Sequence, residues 1–166
     1  MTTVPGITEN IKSVLANVMD PEVPVLSVID LGIVRDINVG KNQTEIVITP
    51  TYSGCPAMDV IRTNIQMELL AHGFNDITIT TVLSPAWTTD WMTEEGKRKL
   101  KEYGIAPPNP KQIVCQTDLF AADEAIQCPH CNSYNTHRVS EFGSTACKAL
   151  YVCDSCKEPF DYFKCH

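Results

Sequence analysis

Four cysteines late in the chain form two C-x-x-C pairs. They are Cys128-Pro-His-Cys131 and Cys153-Asp-Ser-Cys156, with 21 residues between the pairs. Each pair can make a tight turn that presents two sulfur atoms, and antiparallel strands between the pairs can bring the two turns together. This spacing is typical of a four-thiolate zinc site. We therefore predict a structural zinc held by these four residues, with iron as the minor alternative.

Other interpretations of these pairs are less favoured. Reduced, buried cysteines seldom fall by chance into two such pairs. A redox-active C-x-x-C begins a helix in a thioredoxin-like βαβ unit, and the sequence around these pairs does not have that pattern. Residues 128–166 number only 39 and cannot bury much apolar surface. We therefore expect the metal to fold this segment, as a zinc ribbon.

The charge of this segment indicates what it binds. Four basic residues are balanced by four acidic ones before any thiolate is counted: Arg138, Lys148, Lys157 and Lys164 against Glu141, Asp154, Glu158 and Asp161. The whole chain has a formal net charge of −7 and a pI of about 5.0. Nucleic-acid-binding proteins concentrate Lys and Arg on their contact surface. We therefore predict a protein partner and no nucleic acid.

Cys55 stands apart from the other cysteines. Pro56 suits the first position of a predicted helix over 57–72, so Cys55 is expected at the N-cap. There the helix dipole would lower the pKa of the thiol and make it a better metal ligand or nucleophile. A buried, inert cysteine is the simpler alternative. Because His72 lies about 25 Å away at 1.5 Å per helical residue, a cysteine hydrolase is disfavoured.

Two carboxylates precede the first predicted strand. Asp20 and Glu22 lie in a segment whose two prolines lack N–H donors and exclude a helix, so the segment is expected to be a rigid loop. They are candidate polar partners of a site, although a carboxylate near a helix end can simply cap it.

The remaining cysteines have no assigned role. Cys147 and Cys165 are expected to be small buried hydrophobic residues, with contact to a second metal or cluster as the alternative. Cys165 and His166, at the C-terminal end of the sequence, could reach a neighbouring site. Cys115 is expected to be inert.

Hydrophobic periodicity predicts the elements that position these residues. Helices are expected at 7–19, 57–72 and 93–103, and strands at 33–39, 44–49 and 77–83. The order αββαβ predicts an α+β, two-layer domain with both long helices on one face. Trp87 and Trp91 would share a helical face, which suits core packing, a dimer contact or a client contact equally.

The domain boundaries follow from composition. Gly104 ends the third helix, and the proline-rich stretch after it has no sustained period. We expect a domain at 1–104, a linker at 105–127 and the ribbon at 128–166. The sequence has no apolar run near the roughly 20 residues of a membrane span and no secretory signal pattern, so a cytoplasmic protein without membrane contact is expected.

Two long stretches carry a family resemblance. The segments MDPEVPVLSVIDLGIVRDI and TPTYSGCPAM resemble the SufT-like family of small iron–sulfur assembly domains. With SPAWTTDWMTEEGKRKLKEYGIAPP and SEFGSTACKALYVCDSCKEPFDYFKCH, nearly the whole chain resembles the D-subunit family of bacterial phenylacetyl-CoA epoxidase systems. The family's acidic position falls on Glu22, with Asp20 beside it, and its reactive cysteine falls on Cys55.

The resemblance implies a function. It implies an accessory, non-catalytic factor that helps to supply iron or iron–sulfur centres to the multicomponent oxygenase of aerobic phenylacetate degradation. The implied partners are the other subunits of that system, above all its iron–sulfur reductase or di-iron oxygenase component, and a homodimer is also compatible. Cys55, Glu22 and Asp20 would hold a transient cluster or iron. A structural subunit that bridges the complex without any cluster role is the alternative.

Overall fold

The computed structural model describes residues 5–41, 43–108 and 126–164. These residues form two units, Met1–Gly96 and Lys97–His166, each with its own sheet. The mixed α+β class expected from the sequence is confirmed. The division lies before the expected position 104, because the C-terminal part of the third helix groups with the second unit.

The helices and strands of the described residues follow the predicted order. They are α1 (Pro5–Leu15), β1 (Val34–Val39), β2 (Thr44–Ile48), α2 (Ala57–Ala71), β3 (Ile77–Thr81), α3 (Glu94–Glu102), β4 (Ile105–Ala106), β5 (Thr136–Ser140), β6 (Lys148–Cys153) and β7 (Pro159–Phe163). A short 3₁₀ turn, Thr89–Trp91, precedes α3.

The first sheet has the strand order β1-β2-β3. β1 and β2 are antiparallel, whereas β2 and β3 are parallel, with Ile48 opposite Thr81. A parallel pair needs a long crossover connection, and α2 supplies it. The N–H of Val82 still donates to the carbonyl of Ile48 at 2.9 Å. The loops that follow β2 and β3 therefore leave from the same edge of the sheet.

The helices of the first unit bury one apolar face each. Ile11, Leu15, Ile61, Ile65 and Leu69 are almost completely buried. The helices contact each other, α1 also contacts β1, and α2 contacts β3. This arrangement fits the predicted two-layer domain.

α1 ends four residues before its predicted end. After Leu15 the chain tightens, with the N–H of Val18 donating to the carbonyl of Leu15 at 3.1 Å. Met19 then pairs with Ser27 in an isolated β-bridge. These residues continue the apolar period of the helix, but their backbone groups bond to the following loop instead.

The two tryptophans do not share a helical face. Trp87 is buried and its indole N–H donates to the carbonyl of Leu31 at 2.9 Å. Trp91 is in the 3₁₀ turn, with the guanidinium carbon of Arg35 3.4 Å from its ring centroid. Gly32, at φ +67°, lies so close to Trp91 that a Cβ would be 2.0 Å from its carbonyl oxygen. Trp87 is therefore a core residue, whereas Trp91 contacts Arg35 and packs closely against Gly32.

The second unit is a four-stranded sheet in the order β4-β7-β6-β5. Its core includes Tyr151, whose ring stacks on Phe160 and meets Tyr162 edge-on, with centroids 5.9 and 5.7 Å apart. β4 pairs with β7. The expected linker at 105–127 thus begins with residues of this sheet, and its residues 109–125 lie outside the described ranges.

Candidate functional site

The four predicted ligand cysteines come together in the second unit. The Sγ atoms of Cys128, Cys131, Cys153 and Cys156 all lie within 4.8 Å of one another. Cys128 and Cys156 are 3.8 Å apart at sulfur, and Cys131 and Cys153 are 3.5 Å apart. A tetrahedral zinc with Zn–S bonds of about 2.3 Å separates its sulfurs by about 3.8 Å. The cluster therefore has the dimensions of a four-thiolate metal site.

Both C-x-x-C turns are built in the same way. The N–H of Asn132 donates to the carbonyl of Cys128 at 2.9 Å, and the N–H of Lys157 donates to that of Cys153 at 2.8 Å. Asn132 and Lys157 each follow the second cysteine of a pair and have φ +61° and +66°. This left-handed residue closes each turn so that both sulfurs of the pair face the cluster.

A second contact joins the two turns. The hydroxyl groups of Ser133 and Ser155 are 2.8 Å apart, and His137 Nδ1 lies 2.9 Å from a carboxylate oxygen of Asp154. Cys153 is the last residue of β6 and pairs with Thr136 of β5. The pairing of β5 with β6 thus holds the two turns side by side.

The pKa values of two clustered thiols, Cys153 and Cys156, shift in opposite directions. Hydrogen bonds from the N–H of Cys156 and then of Ser155, outweighing desolvation, lower the pKa of Cys153 to about 6. At Cys156 the N–H of Glu158 lowers the pKa, but desolvation and hydrogen bonds to the neighbouring cysteines outweigh it and raise the pKa to about 12. One thiolate therefore suppresses the next, and a divalent cation removes that penalty.

Cys55 lies in the loop between β2 and α2. α2 begins at Ala57 with Pro56 as its N-cap, so Cys55 lies one residue before the N-cap and not at the N-cap, where it was predicted. Its N–H donates to the carbonyl of Tyr52, and its own carbonyl accepts from the N–H of Met58, both at 3.3 Å. The side chain is half-buried.

The expectation of an acidified Cys55 thiol is wrong. Burial is the largest cause that raises the pKa of Cys55, and the negative charges of Glu22 and Asp20 raise it further. These effects outweigh the backbone hydrogen bond at Ala57 and the side-chain hydrogen bond with Tyr52. The helix N-terminus is therefore not the dominant influence. The same electrostatic effects place both predicted carboxylates in the neighbourhood of the thiol.

The two carboxylates differ in their local bonding. Asp20 is buried, and its Oδ1 accepts hydrogen bonds from the N–H groups of Glu22 and Val23 at 2.8 and 2.7 Å. Its N–H donates to the carbonyl of Leu26. Asp20 therefore organises the loop and does not cap α1, which ends at Leu15. Glu22 is half-exposed.

Several supporting residues were not predicted. Tyr52, in the TYSGCP segment, bonds to Cys55. Asp30 accepts hydrogen bonds from the hydroxyls of Ser27 and Thr93 at 2.9 and 3.2 Å. Thr93 in turn accepts from the N–H of Gly96 at 2.9 Å and caps α3. The sequence shows hydroxyl-bearing residues and carboxylates that could form such hydrogen bonds. Only the fold shows which of them are paired.

The other cysteines do not extend either site within the described residues. Cys147 is buried outside the four-cysteine group, with its sulfur 3.0 Å from the hydroxyl of Thr145. Cys115, Cys165 and His166 lie outside the residues that the structure describes. In the described part of the chain, none of the helices is long and apolar enough to cross a membrane.

The fold and sites define a class: a small α/β domain with a thiol loop, followed by a four-cysteine ribbon. Residues 8–80 match the family described as "Iron-sulfur cluster assembly protein", and residues 113–164 match the "PaaD zinc beta ribbon domain". The chain is 46% identical over 164 residues to the putative D subunit of the 1,2-phenylacetyl-CoA epoxidase of Escherichia coli, covering 99% of this chain and 96% of that protein. The chain belongs to this PaaD family.

Two further similarities concern the first unit. An "Fe-S protein maturation auxiliary factor" of Porphyromonas gingivalis is 34% identical over 94 residues, which is 55% of this chain and 89% of that protein. The crystal structure of a domain of unknown function, DUF59, from Bacillus anthracis aligns with a TM-score of 0.55 and 26% identity, covering 57% of this chain and 92% of that one. The relatives therefore include factors that serve iron–sulfur proteins, and the ribbon is a metal-binding module.

Proposed function

We propose that this protein is a non-catalytic maturation factor that supplies iron or an iron–sulfur cluster to the phenylacetyl-CoA epoxidase system of aerobic phenylacetate degradation. The observation that carries the proposal is that Glu22 and Asp20 are near enough to Cys55 for their negative charges to raise the pKa of its thiol. The names of the relatives, an epoxidase D subunit and auxiliary factors of iron–sulfur protein maturation, support it.

The chemistry of the thiol loop suits transient binding. Iron or a cluster is the cargo here, not a resident cofactor. When it binds, a bond from iron to the Cys55 sulfur replaces the S–H bond and the proton passes to solvent. Glu22 supplies a second anionic ligand or a compensating charge, while Asp20 holds the loop. Because the unbound thiol retains its proton, protons compete with iron, which favours release to a client.

The surroundings of Cys55 support a role without catalysis. His72, the first histidine in the sequence, is the C-cap of α2, at the opposite end of that helix from Cys55. Its Nδ1 lies 2.9 Å from the carbonyl oxygen of Glu68. Nucleophilic cysteines are usually activated by an adjacent base, and no described histidine of the first unit is placed to serve Cys55.

The ribbon is proposed to hold zinc as a structural ion. Cys128, Cys131, Cys153 and Cys156 would bind it, and it would supply folding free energy and compensate the thiolate charges. We further propose that the protein works in the cytoplasm, and that its partners are the iron–sulfur reductase or the di-iron oxygenase component of the epoxidase. A homodimer is compatible with this role.

The proposal is tested by a Cys55→Ala variant with Ser53→Ala as the matched control in the same loop. After anaerobic incubation with ferrous iron and sulfide, the wild type and the control should show visible absorption that persists after desalting. In Cys55→Ala this absorption should be lower by at least half. In cells, the same variant should lower the cluster content of the reductase. Equal cluster content with Cys55→Ala and wild type would contradict the proposed role of the thiol.

A second candidate is a structural subunit that bridges components of the oxygenase complex. The name of the Escherichia coli relative describes a component of an epoxidase, which favours this candidate. In this case copurification with the complex should depend on the ribbon and not on Cys55. Loss of the complex in Cys153→Ser, together with normal reductase clusters in Cys55→Ala, would favour bridging over maturation.

A further inference from the structure

A shallow cleft in the second unit is positively charged although the chain as a whole is acidic. Its volume is about 560 Å³, and it lies between the C-terminal end of α3 and the turn that joins Cys128 to Cys131. Its lining residues are Arg98, Lys101, Glu102, Tyr103, Gly104, Pro129 and His130. These described lining residues include none of the four clustered cysteines and no residue of the thiol loop, although Pro129 and His130 belong to the turn between Cys128 and Cys131.

The charge of the cleft comes from α3. Positions 97–101 hold four of the 13 Lys and Arg residues in a chain of net charge −7. Arg98 and Lys101 are three residues apart, share one helical face and both line the cleft. Among the described lining residues Glu102 is the one carboxylate, and it forms an ion pair with Arg98. Because Glu102 balances Arg98, the unbalanced cation among the described lining residues is Lys101, and its charge favours an anionic partner.

The cleft also presents two flat side chains, Tyr103 and His130. The side chain of Tyr103 is 56% exposed, and His130 is also exposed. Gly104, at φ +88°, has no Cβ, and one placed there would lie 3.2 Å from Cε1 of His130. The imidazole therefore packs close to the backbone at Gly104. Another aromatic ring can stack on the exposed phenol ring of Tyr103 and on the imidazole of His130, which packs against Gly104.

The exposure of the lining indicates the size of the partner. Sites for small molecules enclose most of the ligand surface, commonly about 70–90%. Here the side chains of Arg98 and Glu102 are 55% and 62% exposed. Such an open lining favours side chains that project from a protein surface over a small molecule that the cleft would have to enclose.

We infer that this cleft docks an acidic segment of a partner protein that carries an aromatic residue. Carboxylates of the segment pair with Arg98 and Lys101, and its ring covers Tyr103 and His130. The inference rests on the proposed function for the presence of a protein partner, and it adds the chemistry that the partner must present. It does not depend on iron at Cys55.

A peptide titration of the isotope-labelled, metal-loaded protein tests the inference. The probe is a capped peptide of glutamates around one tyrosine, and the matched control has glutamines in place of the glutamates. The acidic peptide should cause saturable amide shifts at 98–104 and at 129–131, and these should weaken as salt is raised. The glutamine peptide should cause at most about a tenth of those shifts. Equal shifts with both peptides, or shifts confined to other residues, would overturn the inference.

Variants separate this cleft from general charge effects. Lys101→Glu should lower the affinity for the acidic peptide at least tenfold. Lys41→Glu, which makes the same charge change in the first unit, should keep an affinity within twofold of wild type. Glu102→Gln removes the competing carboxylate and should tighten binding severalfold. If Lys41→Glu weakens binding as much as Lys101→Glu, the attraction is non-specific and the inference fails.

Two more measurements keep the inference distinct from the proposed function. His130→Ala should lower the affinity for the tyrosine peptide severalfold. It should not change the affinity for a peptide with alanine in place of tyrosine. Lys101→Glu should take up iron at Cys55 as the wild type does. Normal iron uptake with lost peptide binding would support the cleft, and normal peptide binding in this variant would refute it whatever Cys55 does.

Discussion

At the scale of single residues, the thiol loop shows how neighbours decide the chemistry of a side chain. The position of Cys55 just before α2 suggested an acidified thiol, but burial and two carboxylates have the opposite effect on its pKa. Glu22 and Asp20 are more than 30 positions away in sequence, so no local pattern could report their charge at the thiol. The three residues could be identified from the sequence, and the fold was needed to determine the sign of the shift.

The first prediction concerns the reactivity of this thiol. Its rate of alkylation by iodoacetamide should rise with a midpoint pH above the ordinary thiol value of about 8.5. Glu22→Gln should move the midpoint down, since it removes a negative charge that disfavours the thiolate, whereas Glu9→Gln on α1 should not move it. Quantitative mass spectrometry of the Cys55 peptide gives the rates. A midpoint below the ordinary value would contradict the raised pKa.

The same shift has a consequence for stability. The folded protein holds the Cys55 proton to a higher pH than the unfolded chain does. The contribution of this proton to the free energy of unfolding is therefore complete below the ordinary thiol pKa. This contribution is lost as the pH rises through the raised pKa of the folded protein. In Cys55→Ser the free energy of unfolding of the first unit should therefore fall less between neutral and alkaline pH than in the wild type, as measured by urea titration.

A further prediction separates the two carboxylates. Asp20→Ala leaves the N–H groups of Glu22 and Val23 without their acceptor and should lower the free energy of unfolding by about 1–3 kcal/mol. Asp20→Asn keeps an acceptor oxygen and should lower the free energy of unfolding by less than Asp20→Ala does. Glu22→Gln should leave stability nearly unchanged but weaken iron retention severalfold. Urea titration and anaerobic iron binding check these outcomes, and an unchanged stability in Asp20→Ala would contradict the assigned role in the loop.

At the scale of elements, periodicity predicted most of the fold because most elements bury one face. The order αββαβ follows from apolar spacing, whereas the parallel pairing of β2 with β3 is known only from the structure. β4 was missed because a two-residue strand has no period of its own and is defined only by its pairing with β7. The tryptophans were misplaced because the Thr89–Trp91 turn and the contact at Gly32 depend on tertiary packing.

The close approach of Gly32 to Trp91 gives a prediction with an internal control. Gly32 and Gly73 both have positive φ, but of the two only Gly32 would bring a Cβ against backbone, 2.0 Å from the Trp91 oxygen. Gly73→Ala should cost about 1 kcal/mol for the left-handed conformation alone. Gly32→Ala should cost at least about 2 kcal/mol, because strain and overlap add. Thermal and urea unfolding measure both, and equal costs would contradict the packing described for this contact.

At the scale of the whole molecule, the two units differ in what stabilises them. The first unit buries helices on a sheet, whereas the second has a small aromatic core beside four clustered thiols. The spacing of the cysteines was enough to predict that the four thiols cluster, because a four-coordinate metal site requires such spacing. The cleft beside α3 was not predicted, since the helix dipole alone explains a basic run late in a helix.

This difference predicts the response to metal removal. Structural zinc of this kind contributes about 10–16 kcal/mol to folding, more than a sheet of this size can replace. A strong chelator should therefore collapse the amide dispersion of residues 128–164, while the signals of residues 5–41 and 43–96 remain. Re-addition of zinc should restore the spectrum. A ribbon that keeps its dispersion after the metal has been stripped would contradict a structural role for it.

The parallel pairing of β2 with β3 also sets the order in which the thiol loop can be completed. Both carboxylates and Cys55 precede β3 in the chain, so a ribosome releases all three before the strand that flanks β2. Parallel strands need a long crossover connection, so β2 and β3 can pair only after all of α2 has been synthesised. The first sheet is thus completed late in synthesis, and a chain halted before residue 77 carries Cys55, Glu22 and Asp20 without β3.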